Sequence, residues 1–501
     1  MKRTMSVGRS LAFVFIVLLG FAGPCLAADQ QTVLVVAQDG SEIVYHRNGQ
    51  PVDMEDIPKG TELTIESTSG ERCFVTYKGK PAYIRRQFLV TKQEFLEAQQ
   101  RPASHAEAAP SLKSGEPSVT ATSSVIVDSD LPLKTFATLK RQQTEEMAAK
   151  LHLDIPLEAR EFFQAAEAGD YGAVSNRYAR IGRDDRLLPG LQNVLFTPIQ
   201  ETFGAYEQFH FWTGRLLQKY ANGILGSIPA GSIYFGGTDP GRFVITAVRD
   251  VAKSPDIFIV TQNRIGVDSH YMDYLRLLYG NRLWVPGEKD IQQAFQQSTE
   301  DVKSWNGVLG IIGKLTKMMF DNNKEQHACF VEESYVIPWM YPYMQPHGLI
   351  LKLTNEPLTQ LDPAVVARDR LFWGALTKEL LADPEFLGNE SARMTYAKLR
   401  SATGGLYAYR QLTSEAEAAF KQARQLGPMS PEATFRLAQL YATTGRVPDA
   451  ITLLEQFKER PDVSDSVKQR VLQAITQLRD LKRQTDEKQL KTGPPSQPPG
   501  S

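Results

Sequence analysis

Hydrophobic and polar positions change rhythm several times along the chain, and each change marks a different kind of element. Between residues 31 and 92 the apolar side chains come in short runs: TVLVVAQ, EIVYHR, ELTIES, RCFVTYKG and AYIRRQFLV. These runs are rich in β-branched and aromatic residues, and DG, NGQP, IPKGT and TSGE separate them with turn residues. The segment predicts a small β domain. Residues 93–133 include QQRPASHAEAAPSLKSGEPSVTATSS, with almost no large apolar side chain. Such a segment cannot bury enough surface to offset its ordering entropy, which predicts a disordered linker.

From 134 to 226 the period becomes helical. PLEAREFFQAAEAG and DYGAVSNRYARIG predict two helices about a Gly-Asp turn, with Phe162, Phe163, Ala166, Tyr171, Val174 and Tyr178 along their seam. Further on, Phe203, Tyr206, Phe209, Trp212, Leu216, Tyr220 and Ile224 recur at three- and four-residue steps. They predict a long helix or a kinked pair whose aromatic stripe faces a core. Between 227 and 360 the elements alternate. GSIYFG reads as a strand, DPGRFVITAVRDVA as a helix and DIFIVTQ as a strand, which makes a βαβ unit with parallel pairing. A helix over 268–279, a strand at RLWVP, helices across 288–322 and strands at ACFVEES and GLILKLT complete an α/β domain. Its sheet is expected to have about five strands, mostly parallel.

The region 364–488 repeats itself. Tyr407 and Tyr441, Ala416 and Ala450, and Phe420 and Leu454 each stand 34 residues apart, the tetratricopeptide spacing. One copy places Gly404, Tyr407, Ala416, Phe420, Ala423 and Pro428 on the motif, and the next places Leu437, Ala438, Tyr441, Gly445, Ala450 and Pro461. Two hairpins alone bury little, so they are expected to lean on helices at 364–386 and 464–484. Residues 489–501 read as a disordered tail. The fold class is therefore multi-domain α and β.

Composition narrows the function. The chain has 501 residues with 56 Lys+Arg against 57 Asp+Glu, a formal net charge of -1. That balance argues against nucleic acid as a partner, because such binding needs a positive surface. Lys2, Arg3 and Arg9 precede the apolar run 11–22, and CLAAD offers a cleavage site after Ala27 or Ala28. Residues 1–28 predict a signal peptide, with a retained anchor as the alternative, and the mature chain is expected to be exported, periplasmic or extracellular, without a membrane span. Pro24 stands where a lipobox before Cys25 would carry a small residue. Removal of Cys25 leaves Cys73 and Cys329 in separate regions, which predicts two buried thiols rather than a disulfide.

Candidate chemistry is sparse. No HExxH, GxSxG or zinc-spaced Cys/His cluster occurs, and GIIGKLT fails as a P-loop because Val308 and Leu315 stand at required Gly and Ser/Thr positions. His270 and His347 lack partners at metal spacing, so neither a metal nor a cofactor is expected. The aromatic run WMYPYMQPHGL, with Trp339, Tyr341, Tyr343 and His347, reads either as a carbohydrate or peptide platform or as a loop packed on its own domain. The most informative stretch is IYFGGTDPGRF. Asp239 before Pro240 has the chemistry of a helix N-cap, and the loop lacks the GxGxxG dinucleotide pattern. Yet ligands of open α/β sheets bind beyond the carboxyl ends of strands. Gly237, Thr238, Asp239 and Arg242 would lie there after one strand, Gln262 and Asn263 after the next, and Glu332, Glu333 and Ser334 after ACFVEES. Amides, carboxylates and an arginine converging there would suit a polar ligand.

Three resemblances bear on these segments. The Pro58-Lys59-Gly60 turn with Leu63, Gly70, Val75, Gly79, Ala82-Tyr83-Ile84 and Leu89 resembles bacterial SH3-like domains, which have Gly-Trp where this chain has Ala82-Tyr83. That resemblance implies binding of cell-envelope material or peptides. Phe235-Gly236-Gly237-Thr238-Asp239, then Tyr271 to Tyr274, then Gly348-Leu349 resemble the soluble region of protein O-mannosyltransferase-like membrane proteins, without their multi-span part. The whole chain is similar to secreted bacterial tetratricopeptide-repeat proteins. The expectation is an interaction scaffold that binds protein or peptide partners through its repeats. The alternative is an enzyme on sugars or sugar phosphates, with Asp239 or Glu333 as acid/base. A solvent-open cluster of Asp239, Arg242, Gln262 and Glu333 would favour the enzyme.

Overall fold

The computed structural model describes residues 32–36, 41–47, 50–69, 72–85, 89–90, 131–183, 186–266, 269–297, 305–333 and 335–491. The leader expected over 1–28, nearly all of the linker expected over 93–133 and the tail from 492 lie outside the described residues. Two compact units result, one holding the described residues 32–90 and the other those from 131 to 491.

The first unit is a seven-stranded antiparallel sheet. Its strands are β1 Thr32–Val36, β2 Ser41–Arg47, β3 Gln50–Ile57, β4 Glu62–Ser69, β5 Arg72–Tyr77, β6 Lys80–Arg85 and β7 Leu89–Val90. They run in the order β3-β2-β6-β5-β4-β1-β7. Val36, Ile43, Ile57, Leu63, Val75 and Ile84 form its core. Strand β3 was not expected from its residues, since QPVDMEDI carries a proline and three acids. It pairs only with β2, and an edge strand tolerates both features, because its outer groups face solvent.

The second unit opens with helices α1 Leu131–Leu151, α2 Leu157–Ala168 and α3 Tyr171–Ile181, then a two-stranded hairpin of β8 Gly182–Arg183 and β9 Arg186–Leu187. Asp170 caps α3, its Oδ1 accepting the Ala173 N–H at 2.9 Å. The aromatic stripe divides into α4 Phe196–Phe211 and α5 Gly214–Leu225, parted where Trp212 turns extended. Lys140 of α1 is fully buried and joins three helices: its Nζ lies 2.5 Å from Glu201 and 2.9 Å from Asp250. Burial works against its ammonium, but Asp250 and Glu201 outweigh this and hold its pKa above the ordinary lysine value.

The central sheet contains β10 Ile233–Gly236, β11 Phe258–Thr261, β12 Cys329–Val331, β13 Met344–His347 and β14 Ile350–Leu353 in the order β11-β10-β12-β14-β13. It is mixed rather than mostly parallel. β10 pairs in parallel with β11 and β12, whereas β14 pairs antiparallel with β12 and β13. The hairpin of β13 and β14 causes the difference, because a tight turn at Gly348 can only reverse the chain. Connecting the strands are a wide π-type turn over Pro240–Val244, α6 Ile245–Ala252, α7 Gln262–Ile265, α8 Ser269–Tyr279, α9 Glu288–Gln296 and α10 Trp305–Asn323. RLWVP forms no strand. The Trp284 backbone instead exchanges bonds of 2.9 Å with the Asn323 side chain, which supplies both donor and acceptor in place of a neighbouring strand. Cys329 is a free, buried thiol, and burial pushes its pKa up to about 12.

Both faces of this sheet are covered. Ile233, Phe235, Val260 and Val331 point into one apolar cluster, while Tyr234, Ile259 and Phe330 point into another, as the two-residue strand period requires. The remaining helices are α11 Pro363–Leu381, α12 Pro384–Gly388, α13 Glu390–Tyr409, α14 Thr413–Leu426, α15 Pro431–Thr443, α16 Val447–Lys458 and α17 Asp465–Lys491. Phe420, Leu437, Ala450 and Leu454 of the repeats belong to the same cluster as Phe235 and Val331. The two hairpins thus share a core with the sheet. No helix among the described residues is long and apolar enough to cross a membrane.

Ala450 is completely buried on α16. Ala450→Leu is expected to overpack this seam and cost about 1–3 kcal/mol, measured by chemical denaturation of the full chain. An unchanged midpoint would mean that α16 does not pack through this position.

Candidate functional site

The corner after β10 has the chemistry of an anion cradle, and the protein fills it with its own carboxylate. Phe235 and Gly236 end the strand, and the chain then exposes the N–H groups of Gly237 and Thr238. Glu332 Oε2 accepts both, at 3.1 and 2.9 Å. Its Oε1 accepts from Thr238 Oγ1 at 2.5 Å and from the Tyr220 hydroxyl at 2.9 Å. Glu332 is fully buried. A Cβ at Gly241 would land inside this carboxylate, so the close approach demands glycine there. Burial first, then the Glu332 charge, pushes the Tyr220 phenol well above its usual pKa, which keeps it a donor.

Asp239 is not the helix cap. Its side chain accepts no helix amide and is half exposed, paired with Arg242. The capping role falls to Thr238, whose Oγ1 accepts the Gly241 N–H at 3.0 Å. Arg242 also donates to Asn263 Oδ1 at 3.0 Å and lies over the Phe243 ring. Asp239, Arg242 and Asn263 therefore meet at the outer side of the corner. Gln262 is buried beneath them, where its Nε2 donates to the carbonyls of Phe235 and Glu332 at 2.9 and 3.1 Å. It joins the carboxyl ends of β10 and β12.

Glu333 goes elsewhere. Extended chain alternates its side chains, so consecutive glutamates leave β12 on opposite sides. Glu333 Oε1 accepts from Arg436 of α15 at 2.8 Å, and its Oε2 accepts from the Tyr341 hydroxyl at 2.7 Å. All three side chains are buried. Gly405 on α13 makes the path for Arg436, since a Cβ there would strike the guanidinium. Burial opposes the Arg436 charge, but Glu432 and Glu333 hold its pKa above the ordinary value. Among the expected site residues, then, the structure brings Gly237, Thr238 and Gln262 around Glu332, and Asp239, Arg242 and Asn263 together outside. Glu333 joins neither group.

The aromatic run packs onto the body. Trp339 Nε1 donates to Thr316 Oγ1 at 3.1 Å, Tyr343 meets Phe320, and His347 Nε2 lies 2.8 Å from the Ser227 carbonyl. Among the described residues no group of three or more His, Cys, Asp or Glu side chains could hold a metal ion.

Two tests separate these roles. Thr238→Ala removes both the cap and a donor to Glu332 and is expected to cost at least about 0.5–2 kcal/mol. Asp239→Ala should stay within about 0.5 kcal/mol of wild type, because it breaks only a surface pair. Urea denaturation compares them, and the reverse ranking would return the cap to Asp239. Arg436→Met alone should cost about 3–5 kcal/mol by stranding Glu333. Adding Glu333→Gln should recover part of that loss. Strict additivity in the double-mutant cycle would show that the two side chains do not interact.

A family model described as tetratricopeptide repeat matches residues 411–464. No curated protein and no solved structure matches the chain. The matched span runs from α14 through α16, where Ala416, Phe420, Leu437, Ala438, Ala450 and Leu454 are buried. The C-terminal region therefore carries tetratricopeptide hairpins, a protein-interaction architecture.

Proposed function

We propose that the protein is an exported interaction scaffold whose tetratricopeptide hairpins hold a protein partner. Its N-terminal β unit, read as an SH3-like domain, meets cell-envelope material or peptides. The observation that carries this reading is the repeat match over 411–464, because stacked hairpins present extended surfaces to other proteins. The charged segment ahead of the apolar run 11–22 supports export. An all-antiparallel sheet around one small core supports the SH3-like reading.

The inner helices α13 and α15 are buried nearly all round, whereas α14 and α16 bury one face each. The partner surface is accordingly assigned to the outer sides of α14 and α16 and to α17. The sugar-enzyme alternative is not favoured, since Glu333 is held by Arg436 and Tyr341 away from Asp239 and Arg242, and Gln262 is buried on two backbone carbonyls. A polar ligand at the corner is confined, in this reading, to Asp239, Arg242 and Asn263.

Cross-linking mass spectrometry on the full chain in an envelope fraction tests the scaffold. Links to other proteins are expected to concentrate on Lys421, Lys458 and Lys468. Links confined to Lys253 and Lys289, away from the repeats, would overturn the assignment.

A further inference from the structure

Helix α11 is apolar on two opposite sides. Asp369, Trp373, Thr377 and Leu380 form its buried face. The side turned away from a core is ordinarily polar. Here it carries Ala364, Ala367, Leu371 and Ala375, all exposed, at three- and four-residue steps. Leu371 is 75% exposed and Phe372 beside it 38%. A Cβ at Gly374, on the same side, would meet nothing within 4 Å. Among the described residues, none covers this face.

The residues along it are self-complementary. Arg368 and Glu379 stand eleven residues apart, about three turns, so they project from the same flank of the apolar stripe. Take a two-fold axis passing outside α11 at the level between Trp373 and Gly374. It sets two copies antiparallel and lays each flank against itself. Arg368 of each copy then stands opposite Glu379 of the other. Leu371 falls between Ala375 and Lys378 of the second copy, where the small alanine leaves room for it. Lys378 lies toward the other flank, across from Ala367 of the second copy and away from its Arg368. Both charges are available for this role. Arg368 is exposed and makes no ion pair with a described residue. The Glu379 side chain is 66% exposed and holds Lys219 through Oε1 alone.

We propose that this face of α11 pairs with the same face of a second copy of the chain, making a two-fold dimer of antiparallel helices. Leu371 is its anchor, and the two Arg368–Glu379 pairs set its direction and register. One helix pair is smaller than the roughly 1,200–2,000 Å² of stable interfaces, so the dimer belongs to the weak, reversible class. The assignment rests on α11 alone, so its failure leaves the partner surface of the repeats standing.

Sedimentation velocity on the full chain from about 1 to about 200 µM tests the proposal. The average mass should rise from monomer toward dimer, and no further. Leu371→Glu should keep the chain monomeric throughout, with its melting temperature at low concentration unchanged because the side chain is exposed. Arg368→Glu should weaken dimerisation about tenfold, since the two-fold axis repeats each new repulsion. Glu379→Arg should do the same, and the two changes together should restore the dissociation constant to within about threefold of wild type. A wild-type chain still monomeric at about 200 µM would give the face to a different protein and overturn the assignment. It also falls if Leu371→Glu still dimerises, or if the charge-reversed double variant associates no better than either single one.

Discussion

Strand β12 delivers two successive glutamates into the interior, one on each side of the sheet, and each must be met by donors or a counter-charge. Much of the second unit can be understood as the answer to that demand. On one side the loop after β10 turns its amides inward, Tyr220 supplies a hydroxyl, and the chain accepts glycine at 241 to let the carboxylate in. On the other side α15 sends Arg436 across α13, which is glycine at the crossing point. The corner that has the chemistry of a ligand cradle is thus a joint within the sheet. The repeats, expected to lean only on neighbouring helices, are also tied to the sheet by a buried charge.

Most elements were legible because their signals are local. The period of the repeats, the seam of α2 and α3 and the apolar runs of β10, β11 and β12 all depend on neighbours in sequence. What escaped depends on distant partners. β3 and β13 each contain proline and lie at sheet edges, where pairing on one side alone suffices. RLWVP has strand composition, but the amide of Asn323 takes the place of a strand beside it.

The corner shows the same limit at the scale of single residues. Its position, its glycines and the presence of a nearby carboxylate were readable. Which of Glu332 and Glu333 faces the loop depends on the register of β12, and a shift of one residue exchanges their roles. Asp239 has ideal cap composition before Pro240, yet Thr238 takes the amide because Asp239 already has helical backbone angles and the Thr238 carbonyl accepts the Arg242 N–H at 3.0 Å, so the helix begins one residue earlier. Arg436 gave no sequence signal, because a lone arginine on a repeat helix usually faces solvent.

The bond between Glu333 and Arg436 spans 103 residues of sequence. A ribosome that has just finished the sheet has therefore not yet made the cation that the sheet's interior requires. Until α15 emerges, Glu333 stays hydrated and the apolar wall shared with the hairpins stays open. Completion of the body is in this sense postponed to late in synthesis, and a chain stopped before residue 431 lacks the cation that holds Glu333 in the folded protein.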